Sequence, residues 1–403
     1  MVLHFLSQST LDLSLKNNLN RVMKNLLLFF AALTYLVSCQ SSTKSDTSKQ
    51  DKAPNSVAFQ TQVRTDKKRQ AEQDLAIRSF PIDVDINTVA FGSCADQDQP
   101  QPIWATIEKN RPELMLMLGD NVYASSPEQK PISEQYNKLR RIPEYRSIRA
   151  NVPFMATWDD HDFGQNDGGE SNPEKAEAKV QFLRNWPYVK ELLAEGQSGI
   201  WHSKIFTHKK NSLQVIMLDT RTDRADLIKN EQTLIEKAAS PKPYVQHTDT
   251  SKRFLSEKQW AWLEKELSKK ATFRIIASSV QLIANEHQFE KWGNFPHERD
   301  RFFDLLKKLK IKNAVVISGD RHMAAIAKKE IRGLGTLYDI TSSGLNKPAK
   351  PGNVLTDASY IAEGYGPVNF GLIKINWATG RATVEIRSLD DKTVQSVTIP
   401  FKH

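Results

Sequence analysis

The apolar positions fall into short runs from about Ile82 onward, and several end abruptly at polar residues. Leu114-Met115-Leu116-Met117-Leu118 runs into Gly119-Asp120-Asn121-Val122-Tyr123. Phe154-Met155-Ala156-Thr157-Trp158 meets Asp159-Asp160-His161-Asp162, and Val315-Val316-Ile317-Ser318 meets Gly319-Asp320-Arg321-His322. An unbroken apolar run of this length reads as a strand covered on both faces, as in parallel sheets. The pattern predicts strands over Ile86–Phe91, Glu113–Leu118, Pro153–Trp158, Leu213–Leu218, Phe273–Ser279 and Ala314–Ser318. Between them, 3.6-residue spacing predicts helices over Pro102–Lys109, Ser133–Arg149, Pro173–Trp186, Ser256–Lys269 and Pro296–Lys310.

After Gly335 the strand–helix alternation gives way to strands at Leu337–Thr341, Phe370–Trp377, Ala382–Arg387 and Val394–Pro400. The order implies an α/β fold with two sheets forming a mixed sandwich. Residues 221–253 are polar and weakly periodic, and read as an insertion or lid over one end.

The amino-terminal part is different. Met23-Lys24 precedes an apolar stretch from Leu26 to Val37, shorter than the ~20 residues a spanning helix needs. It ends Leu36-Val37-Ser38-Cys39, which resembles the lipobox of bacterial lipoproteins, where the cysteine is acylated. Residues 1–39 are therefore expected to be a lipoprotein signal, with Met23 as a candidate start, and residues 40–80 a polar, disordered tether. Residues 81–403 are expected to form the single folded domain in this division. The expected location is the bacterial cell envelope, periplasmic or at the cell surface, with the membrane as partner through lipid on Cys39. Once Cys39 is lipidated, Cys94 has no partner for a disulfide.

Composition narrows the function. The 403 residues carry a formal charge of +9, from 56 basic and 47 acidic residues. The basic excess is spread along the chain without the aromatic interleaving of RNA binders. It implies weak attraction to anionic substrates or surfaces and argues against nucleic acid as the main partner.

The strand ends carry the chemistry. In open α/β sheets the crevice lies at the carboxyl ends of the strands. Asp120 and Tyr123, three residues apart, can turn a carboxylate and a phenolate toward one hard cation. Three carboxylates within Asp159-Asp160-His161-Asp162 repel one another unless a cation neutralises them, and Asn166 follows with a neutral oxygen. Asp320 and His322 end a third run, and Phe91-Gly92-Ser93-Cys94 brings a thiol to a fourth. Each motif alone has a bland reading as a helix cap, a solvated loop or a packed cysteine. Their joint occurrence at successive strand ends points to metal-assisted hydrolysis, with no Ser/His/Asp arrangement evident from spacing.

The motifs Gly92-Ser93-Cys94, Gly119-Asp120-Asn121-Val122-Tyr123, Val152-Pro153 with Trp158-Asp159-Asp160-His161-Asp162, Leu218-Asp219-Thr220-Arg221, Ser278-Ser279-Val280-Gln281, Gly319-Asp320-Arg321-His322 and Thr341-Ser342-Ser343-Gly344-Leu345 occur in one order over about residues 85–375. Together they resemble the PhoD-like alkaline phosphatase/phosphodiesterase D family of the calcineurin-like metallophosphoesterases. The resemblance implies a two-sheet αββα sandwich with a dinuclear metal site at the strand carboxyl ends, Fe3+ plus Ca2+ or another divalent ion. It implies that Asp120 bridges the metals, that Cys94, Tyr123 and His322 complete a ferric site, and that Asp160, Asp320 and Asn166 hold the divalent ion. His161 would assist the leaving group or a phosphoryl oxygen. Arg221 and Arg321, and after them Arg224 and Arg146, would meet phosphate oxygens as forked donors. The implied activity is alkaline phosphatase D-like phosphoester hydrolysis by a metal-bound hydroxide.

Two departures stand out: the immunoglobulin-like amino-terminal domain of larger members is not expected, the tether taking its place, and Val280-Gln281 stands where many relatives place a further His ligand. The alternatives are phosphodiesterase or phospholipase D-like activity, a non-catalytic surface-binding lipoprotein and, least favoured, a His-Asp phosphohydrolase, whose ligands sit on helices.

Overall fold

A computed structural model describes residues 78–125, 131–239 and 243–402. The expected signal, Cys39 and nearly all of the expected tether lie outside the described residues.

The first sheet has six strands in the order β14-β13-β12-β1-β2-β3. Strands β1 (Thr88–Gly92), β2 (Leu114–Leu118) and β3 (Phe154–Thr157) are parallel. The antiparallel strands β12 (Asn369–Asn376), β13 (Arg381–Ser388) and β14 (Thr393–Pro400) extend the sheet from β1. The second sheet also has six strands, in the order β10-β11-β9-β8-β5-β4. Its parallel centre is β5 (Asn211–Met217), β8 (Phe273–Ala277), β9 (Ala314–Ser318) and β11 (Gly335–Ser342). The antiparallel edges are β4 (His202–His208) and β10 (Ala324–Ile331).

Strand alternation explains the unbroken apolar runs. Leu114, Leu116 and Leu118 face the core between the sheets, with Val215, Ile275 and Ile317 opposite. Met115 and Met117 face the other way, onto Trp104 and Phe182. Those two side chains come from helices α1 (Ile103–Lys109) and α5 (Lys175–Asn185); α2 (Ile132–Leu139), α3 (Pro143–Asn151) and the one-turn α4 (Asp160–Phe163) lie between them in the chain. On the second sheet Ile216, Ile276 and Val316 pack outward against Trp260 and Phe302. After α6 (Pro187–Leu192) and α7 (Leu234–Ala239), these two residues come from α8 (Glu257–Leu267) and α9 (Pro296–Lys308). The result is the expected αββα sandwich.

The predicted helix over Ser133–Arg149 is two helices, because Pro143 lacks an amide hydrogen and starts a new first turn. Strands β4 and β10 were not predicted. Within residues 221–253 a two-stranded pair, β6 (Ile228–Lys229) with β7 (Tyr244–Val245), flanks α7. Among the described residues no helix is long and apolar enough to cross a membrane.

Candidate metal centre

The parallel strands of both sheets end on one side, where a bridge between Ser93 and Ser343 joins their tips. The loops leaving these tips are held in an unusual backbone state. Cys94, Asp120, Asp320 and His322 have φ of 63°, 49°, 67° and 56°, in the left-handed region that non-glycine residues avoid. Each such residue costs on the order of 1–3 kcal/mol, and strain of this kind gathers at functional sites. Gly119, at φ 101°, incurs no such cost because it lacks a Cβ, and a Cβ there would lie 2.6 Å from the Asp159 amide nitrogen.

These turns bring the expected ligands together. Donor atoms of Cys94, Asp120 and His322 lie within 4.8 Å of one another, as do those of Asp120, Asp160 and His161, and those of Asp159, Asp160 and Asp320. Asp120 thus belongs to two groups and stands between them. Its Oδ2 accepts from the Cys94 thiol at 3.4 Å and the Tyr123 hydroxyl at 3.1 Å. Tyr123 Oη lies 3.1 Å from His322 Nε2, and the His161 amide donates to Asp120 Oδ1 at 3.3 Å. Asp160, Asp320, His161, Asn166 and Arg321 line one cleft of about 550 Å3 with Asp120 and His322.

The electrostatics are those of a cage built for cations. Burial, then Cys94 and Asp160, push the Asp120 carboxyl well above its ordinary range. Burial likewise raises Cys94, Tyr123 and Asp320. Asp160 is the exception: burial opposes its charge, but His161, Arg221 and the Asp167 amide hold it below the usual carboxylate range. Its Oδ1 is buried without a hydrogen-bond partner. Burial also depresses His161 and His322, leaving neutral imidazoles able to ligate. An unpartnered carboxylate oxygen, crowded acids, a thiol, a phenol and neutral imidazole form a donor set that fits metal ions. The crowded carboxylates are costly only while uncompensated.

The acidic motif is divided among three tasks. Asp160 faces the cleft. Asp162 accepts from the Asp159 amide at 2.7 Å and from the Asn121 side chain, and so braces the turn. Asp159 is the counter-ion of Arg221 and also accepts from Ser279 at 2.6 Å.

This corrects the expectation for Arg221. It is wholly buried behind the cleft, its guanidinium held by Asp159 and, at 2.7 Å, by Glu290. Arg224 is equally buried, on Glu290 at 3.1 Å and on the Asp167 and Gly168 carbonyls at 2.7 Å. Arg146 is exposed on α3 and does not line the cleft. Of the four arginines only Arg321 does, its Nε and Nη2 gripping Asp320 at 2.9 and 3.1 Å and its guanidinium lying over Phe289.

Sequence reasoning missed Asp167 and Lys347, both on the cleft wall. Asp167 donates its amide to Asp160 Oδ2 at 2.7 Å, and its carboxylate accepts from Tyr244. Its place beside Asn166 was a usable signal. Lys347 had none, because it reaches the site from a loop without periodicity. Residues 221–253 therefore buttress the acidic loop through Arg224 and Tyr244.

A two-sheet αββα sandwich with acids, His and Tyr at its parallel strand ends is the architecture of the metallophosphoesterases, and its ligand groups form a metal centre. Within that class the chain belongs to the PhoD-like phosphatase family, whose model matches residues 89–343. Alkaline phosphatase D of Bacillus subtilis (strain 168) is 22% identical over 275 residues, 58% of this chain and 46% of that protein. The chain thus spans about half the length of this curated relative. A solved structure of PhoD superposes with a TM-score of 0.57 at 16% identity, covering 79% of this chain and 70% of that one. Purple acid phosphatase PPD1 from yellow lupin (Lupinus luteus) seeds gives 0.50 at 13% identity, covering 78% and 53%. At these identities the two structures speak for the fold.

Proposed function

We propose that this chain is a metal-dependent phosphoester hydrolase, exported and held at the cell envelope by a lipid on Cys39. The observation that carries the hydrolase reading is that Asp120 is shared by two ligand groups on one cleft wall. Cys94, Asp120, Tyr123 and His322 would hold one ion, for which phenolate and thiolate suit Fe3+. Asp120, Asp160, Asp320 and Asn166 would hold the other, whose all-oxygen donors suit Ca2+. When bound, two such ions supply Lewis acidity that activates water and neutralises phosphoryl charge.

The chain's own residues supply the rest. His161 Nδ1 is hydrogen-bonded to Ser125 Oγ. With the serine donating, the neutral ring keeps its N–H on Nε2, where it can donate a hydrogen bond to a leaving oxygen or a phosphoryl oxygen. Arg321 is fixed by Asp320 and the Phe289 ring, so its remaining N–H groups present a preorganised donor edge. Asn166, exposed at the cleft, is placed to complete an oxygen shell.

Asp120→Asn tests the reading. Turnover of nitrophenyl phosphoesters should vanish, bound metal should fall, and far-UV circular dichroism should stay native. Wild-type turnover in that variant refutes the scheme. For the anchor, Cys39→Ser should move the protein from the membrane to the soluble fraction and abolish fatty-acid labelling; unchanged labelling refutes it.

A further inference from the structure

Part of the cleft wall comes from the segment from Lys347 to Leu355, between β11 and β12. It is tied to the metal-binding loops: the Ala349 amide donates to the His322 carbonyl, and the Asn346 side chain donates to the Asp96 carbonyl at 2.8 Å. Lys347 is thereby fixed at the cleft. Its ammonium lies 3.4 Å from the centre of the Tyr123 ring and 3.2 Å from Asp96 Oδ2. These contacts orient the side chain and leave an N–H donor over, and the side chain keeps 36% of its surface exposed. Its charge is felt by both His161 and His322, so it stands beside the reacting centre.

Resting on the hydrolase reading above, we propose that Lys347 is a specificity-determining residue that donates to a non-bridging phosphate oxygen and makes the site prefer dianionic phosphomonoesters. A monoester dianion presents one more charged terminal oxygen than a diester monoanion, and a diester fills that position with an ester group. An ammonium directed at that position gains more from the dianion and gains little from the diester. Lysine suits the task as a compact point charge, while Arg321 gives its fork to Asp320 and presents only its remaining N–H groups.

The test compares wild-type, Lys347→Met and Lys347→Arg full-length, metal-loaded protein. Loss of one charge-assisted hydrogen bond should raise KM for nitrophenyl phosphate about tenfold or more. KM for bis-nitrophenyl phosphate should change by less than about threefold, since the diester lacks the oxygen in question. Lys347→Arg should restore most of the monoester KM. Equal changes on both substrates, or none, overturn the proposal. Calorimetric binding of inorganic phosphate keeps the two readings separable: a Kd weakened about tenfold in Lys347→Met supports the contact even in a protein that turns over neither ester. An unchanged Kd overturns it whatever the turnover.

Discussion

Arg221 and Arg321 each follow a parallel strand and each grips an aspartate, yet the surroundings give them opposite work. Arg221 is enclosed, with Asp159 and Glu290 as its counter-ions, whereas Arg321 borders the cleft. Removing one member of a buried network strands the remaining charges. Arg221→Met should therefore cost about 3–5 kcal/mol in chemical denaturation, in metal-free and metal-loaded protein alike. A variant with native stability and only a raised KM would restore Arg221 as a substrate contact. The same division explains what could be read from Asp159-Asp160-His161-Asp162. That a cation-demanding acid lay there was legible from three carboxylates beside apolar residues. Which one faces the cleft was not, because consecutive residues in a helical turn project about 100° apart. Tyr123 carries a spectroscopic prediction: as a phenolate on ferric iron it should give a visible charge-transfer band that Tyr123→Phe abolishes. A colourless, active, iron-free protein would assign zinc or manganese to that position.

At the scale of elements, legibility followed burial. The central strands β1, β2, β8 and β9 are almost wholly buried, so their sequences are mainly apolar, with Arg274 of β8 the one charged exception, and announce themselves. The edge strand β4 is only partly buried and carries polar residues, as edges must to avoid pairing with other chains, whereas the outer edge of β10 is covered in part by residues 359–365 and only its second half is polar. His-Ser-Lys-Ile-Phe-Thr-His thus offered little to recognise as a strand. His202, at the start of β4, is nonetheless buried and neutral: Nδ1–H donates to the Ile200 carbonyl at 2.7 Å, and Tyr188 Oη lies 3.3 Å from Nε2. Burial pulls its pKa from 6.5 down to about 4. The unfolded chain therefore binds the proton first, so this histidine's contribution is full above pH 6.5 and is lost as pH falls toward 4. A shift of that size is worth up to about 3 kcal/mol. In His202→Phe, proton uptake on unfolding near pH 5 should drop by about one, whatever the variant's absolute stability. An unchanged uptake would show that His202 is accessible and charged in the folded protein.

For the molecule as a whole, the strained turns and the crowded acids form a single bargain between folding and metal. Without a cation, burial raises Asp120, Asp159 and Asp320 above the ordinary carboxylate range. A carboxylate raised by folding favours the folded state at low pH and disfavours it as pH climbs from about 4 through the raised value. Chelated protein should therefore lose stability as pH rises from about 4, in the direction opposite to the His202 effect. Restoring metal should flatten that loss, because the ions take the place of the protons. Two measurements follow from the exchange. Adding metal to chelated protein in weak buffer should release protons at neutral pH. The loaded protein should also gain about 2.7 kcal/mol at a free metal concentration one hundred times Kd. Asp120→Asn should blunt both, since it removes the carboxylate common to the two ligand groups. Metal addition that releases no protons and leaves the unfolding midpoint unmoved would mean that these strand ends converge for packing alone.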